Sequence, residues 1–244
     1  VIDLSNLPQA IYKRQEIPVA DYLMSFQNSL REEFLQGFRT LQQAAKFIGK
    51  PSLDRRYAGV PLDETEYLIQ SKNNNGDLEN NIDGWLAVLF KYRRGIKDSP
   101  MNYTMSPLDG RALKYKTAYK LASEFEEKCP IAQYSIMAPN TVLQRHTGPE
   151  NRTGKYIRIH IPLIIPEGDI FLEVNGEEVR WDDIFGFNNQ FVHSAHNYTD
   201  QYRLVFFIDL DREHIGMSPG EPWDERFDEL SKLPFIRKTQ EQTL

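Results

Sequence analysis

The chain has 244 residues, 40% of them hydrophobic and 12% aromatic, with 29 Lys and Arg against 35 Asp and Glu for a net charge of −6. This composition excludes collagen-like, low-complexity and small disulfide-stapled proteins, and it supplies a sizeable core for one domain or one domain with a helical extension. The acidic balance argues against a general binder of phosphate backbones, so nucleic acid is not an expected partner.

In chain order, residues 18–48 carry apolar side chains at intervals of three and four, among them Leu23, Leu30, Phe34 and Phe38, with Pro18 in the first turn and Gly49 at the stop. That is the period of a helix. Residues 54–81 hold Gly59, Pro61, Gly76 and three consecutive Asn, and read as a long loop. The apolar run 85–90 is too short for periodicity to separate strand from buried helix, and residues 95–102 read as a turn. A second amphipathic helix is expected over about 109–128, ended by Pro130.

After Pro130 the period changes to two. Short strands are expected at 135–137, 142–143, 156–165, 170–174, 178–181, 191–196 and 202–209, with Asn175-Gly176 as the strongest hairpin signal. So many strands without helices between them favour an antiparallel sandwich or jelly roll with the N-terminal helices packed outside. Residues 1–130 are then a helical and loop region, 131–212 the β core and 213–244 a C-terminal extension of one continuous domain. In that extension Phe227, Leu230, Leu233 and Phe235 suit a last docked helix, and 238–244 read as a tail.

No window approaches the roughly 18 apolar residues of a membrane span, and the opening residues lack a signal-peptide pattern. The first residue is Val, which leaves room for a removed leader or larger N-terminal part. A single cysteine, Cys129, permits no internal disulfide and no cysteine-rich zinc cluster, which favours a reducing, cytoplasmic setting. Three N-x-T sequons start at Asn102, Asn151 and Asn197 and carry little weight.

The segment from His146 to Asn151 and the strand residues Arg158 and His160 are the richest in chemistry, and His193 follows 47 residues after His146. Arg158 and His160 leave one face of their strand. Two imidazoles suit a borderline divalent ion, but Thr147 and Gly148 supply no third, carboxylate ligand. Arg203 stands among apolar strand residues, where a buried guanidinium needs an anion.

Each of these residues also has a plainer reading. His146 would anchor a loop, His160 would be a satisfied strand histidine, and His193 and Arg203 would face solvent. His196 projects away from His193, and His214 lies past the last strand. The acidic pairs Asp182-Asp183 and Asp209/Asp211 fit turns better than a calcium site. Nucleophile-elbow, Walker, dinucleotide and H-E-x-x-H patterns are absent.

Taken together, the pieces 135–139, 146–151, 158–163, Trp181, 187–193 and 203–209 resemble, in order and spacing, the aspartate/asparagine β-hydroxylase family of 2-oxoglutarate- and Fe(II)-dependent oxygenases. The resemblance covers roughly a third of the chain. It implies a double-stranded β-helix in which His146 and His193 bind iron, Arg158 and His160 contact the oxalyl end of 2-oxoglutarate, and Ser135 and Arg203 hold its far carboxylate. It also implies that water replaces the usual carboxylate ligand, consistent with Gly148 two residues after His146. Relative to the family pattern, three residues are added around 153–155, and Asn188-Asn189 replaces an Asp pair.

The implied activity is hydroxylation of an unactivated carbon, most simply the β-carbon of an aspartyl or asparaginyl residue or a related amino-acid substrate, with Fe(II) as cofactor and 2-oxoglutarate and dioxygen as cosubstrates. A lipid acyl chain is also compatible with such a centre. The competing readings are a non-catalytic jelly-roll module that binds a small carboxylate or metal, and an assembly protein that uses its helices as an interface. The sequence does not fix the oligomeric state.

Overall fold

The structure is a computed structural model that describes residues 6–36, 70–72, 78–80, 85–92, 103–108, 110–148, 151–233 and 235. In chain order the described elements are β1 (Ile11–Lys13), α1 (Ala20–Met24), α2 (Gln27–Leu35), β2 (Gln70–Lys72), β3 (Leu78–Asn80), β4 (Trp85–Tyr92), β5 (Tyr103–Thr104), α3 (Gly110–Lys114), α4 (Lys116–Glu124), β6 (Ile131–Met137), β7 (Thr141–His146), β8 (Tyr156–Ile164), β9 (Ile170–Val174), β10 (Glu177–Val179), β11 (Phe185–Phe187), β12 (His193–Asn197), β13 (Arg203–Asp211) and α5 (Glu225–Lys232). One sheet has the order β1-β11-β8-β13-β6-β4-β5 and the other β10-β9-β12-β7-β2-β3, with antiparallel pairing throughout. From β6 to β13 the chain repeatedly crosses between the two sheets, which makes the fold a double-stranded β-helix of the jelly-roll class.

Period-two alternation explains how the sheets pack. Along β13, Leu204, Phe206, Ile208 and Leu210 join a cluster with Leu23, Leu30 and Phe34 of the first helices and with Ala118 and Leu121 of α4. The intervening Val205 joins a second cluster between the sheets with Met137, Leu172, Val174 and Phe187. All nine residues of β13 are therefore buried, each by one of two different neighbours. Full burial of one such large apolar side chain contributes roughly 1.5–3 kcal/mol.

The helical face is fixed by more than apolar contact. Glu33 of α2 accepts from the backbone N–H groups of Thr117 and Ala118, at 2.7 and 2.8 Å, and from the Tyr134 hydroxyl at 2.7 Å. Its carboxylate thus caps the first turn of α4 from another helix, where free N–H groups and the helix dipole favour an anion.

Several expectations need correction. The helix expected over 18–48 is divided at Ser25–Phe26, where Ser25 Oγ donates to the Tyr22 carbonyl at 2.6 Å and competes with the helical ladder. Residues 37–48 of that expectation lie outside the described residues. The helix expected over 109–128 is α3, α4 and a short 3-10 turn, with Tyr115 between the first two. The expected loop 54–81 contains β2 and β3, because backbone pairing to β7 and between the two strands outweighs their polar composition. The expected turn at 95–102 and the tail at 238–244 lie outside the described residues.

The undecided run at 85–90 is strand β4, which pairs along β6. The three-residue strands β1 and β11 pair with one another and are too short to carry a period. The Asn-Gly hairpin lies between β9 and β10 as expected, with Asn175 at φ 51° and Gly176 at φ 83°, the left-handed pair that a two-residue hairpin needs. Asn151 and Asn197 are fully buried and bonded inside the fold, which removes both as glycosylation acceptors in the folded chain.

Candidate active site

The two histidines come together through strand pairing. His146 ends β7, His193 begins β12, and the antiparallel register sets them opposite each other. Between His193 and Ala195 the register slips, a bulge that re-aims side chains at the strand end. The ring centroids lie 4.3 Å apart. His193 Nδ1 bonds to the Phe191 carbonyl at 2.8 Å, which fixes its proton on Nδ1 and leaves the Nε2 lone pair available. Burial, followed by the neighbouring His146, holds the His193 pKa well below its usual value and keeps the ring neutral.

A cavity of about 520 Å³ opens in front of this pair, lined among others by Ser135, His146, Gly148, Arg158, His160, His193 and Arg203. Every site residue expected from the sequence is therefore at one cavity, contributed by five strands and the turn after β7. The solvent-facing readings of His193 and Arg203 do not hold, since they are 3% and 1% exposed. His196 lies on the other face of β12, stacked on Phe171, and His214 sits beside Phe125. Among the described residues, no group of three or more His, Cys, Asp and Glu is arranged to hold a metal ion.

Arg203 is the most demanding residue in the site. Its Nη2 donates to Ser135 Oγ at 3.0 Å and its guanidinium lies 4.8 Å from the Trp181 ring centroid, yet its Nε is buried without a hydrogen-bond partner. Burial pushes its pKa down to about 9, which still leaves it charged at neutral pH. A buried cation with an unsatisfied donor is stabilised by an anion held on its planar fork.

Trp181 also sets His160. The indole Nε1–H donates to His160 Nδ1 at 3.0 Å, so the neutral ring carries its proton on Nε2. Burial, then the charges of Arg203 and Arg158, push the His160 pKa well below its usual value. Arg158 is held by a two-point ion pair, Nε to Asp209 Oδ1 at 2.7 Å and Nη2 to Oδ2 at 2.8 Å, and lies 4.5 Å from the Phe207 ring centroid. The acidic residues, read from the sequence as turn residues rather than as a calcium site, form ion pairs: Asp209 with Arg158, Asp183 with Arg14, and Asp211 with Lys128 and Lys155.

Some lining residues were not singled out by the sequence reading. Gln133 is two residues before Ser135 on β6, so extending the period-two reading by one step reaches it. Exposed Arg152, Asp228 and Ser231 and half-buried Trp223 meet at the mouth, where Arg152 lies 5.4 Å from the Trp223 ring centroid. The extra residues around 153–155 form the turn under this segment, and Gly154 at φ 68° leaves no space for a Cβ against the Glu221 backbone. Asn188 and Asn189, in place of the Asp pair, are buried, with Asn189 Oδ1 accepting from Asn151 at 2.8 Å.

The chain is similar to several known proteins. An ornithine lipid ester-linked acyl 2-hydroxylase of Rhizobium tropici is 33% identical over 83 residues, 32% of this chain and 28% of that protein. The human aspartyl/asparaginyl beta-hydroxylase is 31% identical over 80 residues, 32% of this chain and 10% of that protein. The matched part thus spans less than a third of either relative. A solved 2OG-Fe(II) oxygenase-family oxidoreductase of Burkholderia pseudomallei aligns with a TM-score of 0.39 at 10% identity, covering 66% of this chain and 78% of that one. The family model described as Aspartyl/Asparaginyl beta-hydroxylase matches residues 60–213, more than half of the chain and all of β6 to β13. With its two histidines, buried arginine and jelly-roll frame accounted for, this chain belongs to the aspartyl/asparaginyl β-hydroxylase family.

Proposed function

We propose that the protein is an Fe(II)- and 2-oxoglutarate-dependent hydroxylase that acts on a carbon next to a carbonyl group, with the β-carbon of an aspartyl or asparaginyl residue in a peptide, or of a related amino acid, as the favoured target. The observation that carries this reading is the conjunction of the paired imidazoles of His146 and His193 with the unsatisfied Arg203 guanidinium on one cavity. Two neutral imidazoles suit iron(II), and a buried fork suits a small carboxylate.

His146 and His193 would hold the metal, with the Phe191 carbonyl fixing the ring orientation of His193. Ser135 and Arg203 would hold the far carboxylate of 2-oxoglutarate, a charge-assisted contact of roughly 1.5–3 kcal/mol. His160 would offer its Nε2–H to the near end, and Arg158, fixed by Asp209, would supply positive charge there. Gly148, which has no side chain, would leave the usual carboxylate-ligand position to water. When bound, iron(II) with 2-oxoglutarate and dioxygen supplies the oxidising chemistry, in which one oxygen atom ends in succinate as carbon dioxide leaves and the other enters a substrate C–H bond.

The two relatives' names point to a shared target chemistry, because position 2 of an acyl chain and the β-carbon of an aspartyl or asparaginyl residue are each bonded to a carbonyl carbon. The mouth favours the amino-acid arm: Arg152, Asp228 and Ser231 offer polar contacts of both charges, which suit a peptide better than bare hydrocarbon.

The test supplies Fe(II), 2-oxoglutarate and ascorbate with aspartyl and asparaginyl peptides, free amino acids or acyl lipids, and follows succinate and a product heavier by one oxygen atom. Expected are stoichiometric succinate and a hydroxylated peptide or amino acid; His146→Ala and His193→Ala are expected to lose turnover and to weaken Fe(II) binding at least a hundredfold. Unchanged metal binding and cosubstrate decarboxylation in both variants would remove the histidines from this role. A wild-type protein that binds the diacid without forming succinate would leave a carboxylate-binding module.

A further inference from the structure

Among the described residues, two buried side-chain polar atoms have no hydrogen-bond partner, Arg203 Nε and Gln133 Nε2. Both residues line the same cavity. Buried polar groups are satisfied in the great majority of folded proteins, so two exceptions facing one cavity point to a ligand that completes them. The mechanism above gives Arg203 its anion but gives Gln133 nothing to do.

Gln133 is 4% exposed and lies on β6 two residues before Ser135, so the two side chains leave the same face of the strand, about 7 Å apart along it. Ser135 Oγ is the atom that Arg203 Nη2 already reaches. Arg203, Ser135 and Gln133 therefore form a continuous file of polar groups on one wall. The register places Gln133 beside Phe207 of β13, which in turn lies beside His160 of β8. It thus occupies the row between Ser135 and the level of Ile131, Asp209 and Arg158. Leu89 flanks it on β4, so its strand neighbours on both sides are apolar and provide no acceptor for the amide.

We propose that Gln133 is a specificity-determining residue for the cosubstrate, donating from Nε2 to the carboxylate held by Arg203 and Ser135 and so selecting a dicarboxylate over a monocarboxylate 2-oxo acid. This assignment rests on the oxygenase reading above and extends it to a residue that the family resemblance does not name. A side-chain amide suits the place. It adds a donor without a second buried positive charge, and the guanidinium already provides the charge that an anion needs.

The test uses the full chain with Mn(II), read by dissociation constants and by thermal shift, without turnover. The ligands are 2-oxoglutarate, succinate and, as a monocarboxylate control, pyruvate. In Gln133→Leu, a change of similar size that deletes both polar atoms, 2-oxoglutarate and succinate are expected to bind about fivefold to tenfold more weakly while pyruvate binding is unchanged. The ligand-free melting temperature is expected to hold or rise, because an unsatisfied buried donor has been removed. A purely structural role for Gln133 predicts the opposite pattern, a lower ligand-free melting temperature with equal diacid affinity, and overturns the proposal. So does a variant that keeps its diacid affinity but binds a hydroxylatable peptide more weakly, which would make Gln133 a substrate contact. Failure of the wild-type protein to bind any diacid would instead overturn the oxygenase reading on which the proposal stands. Gln133→Glu serves as a second variant: its carboxylate beside the ligand's is expected to weaken diacid binding further than Leu at neutral pH, and tighter binding overturns the proposal.

Discussion

At the scale of residues, Trp181 has two tasks. Its ring face carries the Arg203 guanidinium, and its N–H decides which nitrogen of His160 is protonated. A pocket that must present donors to an anion needs the Nε2–H form, since the other tautomer would offer a lone pair instead. Trp181→Phe keeps an aromatic face for the cation but removes the donor. Imidazole nitrogen NMR is therefore expected to show a single Nε2–H tautomer at His160 in the native protein and a mixture in the variant, with 2-oxoglutarate binding weakened severalfold. An unchanged tautomer would mean that the indole is a packing group only.

At the scale of elements, the helices are attached to the large sheet by a polar joint as well as by an apolar face. Glu33 joins α2 to the first turn of α4 and to Tyr134 on β6, whose ring is packed by those of Phe34, Tyr115, Phe90 and Phe206. Glu33→Ala removes a cap and leaves two backbone donors to find water, so a loss of about 1–3 kcal/mol is expected, read as a lower urea midpoint at unchanged slope. Because this joint is on the far side of the sheet from the cavity, diacid affinity in the variant is expected to stay within twofold of the native value. The period-three and period-four spacing made these helices legible in outline. It did not reveal the division at Ser25–Phe26 or at Tyr115, which depends on a local side-chain bond and on the packing of two short helices rather than one long one.

At the scale of the whole molecule, a buried polar group makes stability depend on pH. Tyr134, buried in the helical core, is held well above its usual pKa of 10.0, first by burial and then by the Glu33 carboxylate. A group with a raised folded-state pKa contributes fully below its unfolded value, so stability from this source is expected to be level below about pH 10 and to fall above it, as the unfolded chain ionises and the native phenol does not. Urea titrations at a series of alkaline pH values check this, and Tyr134→Phe is expected to flatten the decline. Helix α5 packs on the core between the sheets. Phe227 and Leu230 of α5 are buried in the cluster between the sheets as the sequence suggested, whereas Leu233 remains exposed.

The spacing of apolar residues determined the β-rich second half and the helices in front, and the Asn175-Gly176 pair determined the hairpin, because alternation, helical period and turn chemistry are local properties that the chain carries wherever it goes. The order of His146, Arg158, His160, His193 and Arg203 marked the site, but each residue alone had an equally good bland reading. Only the tertiary structure brought them together, by pairing β7 with β12 so that two histidines 47 residues apart face each other, and by burying Arg203 where water cannot reach its Nε. It also brought Trp223, Asp228 and Ser231 to the mouth from a segment whose sequence has no period linking it to the barrel. Such contacts depend on where distant parts of the chain meet, and no local pattern encodes them.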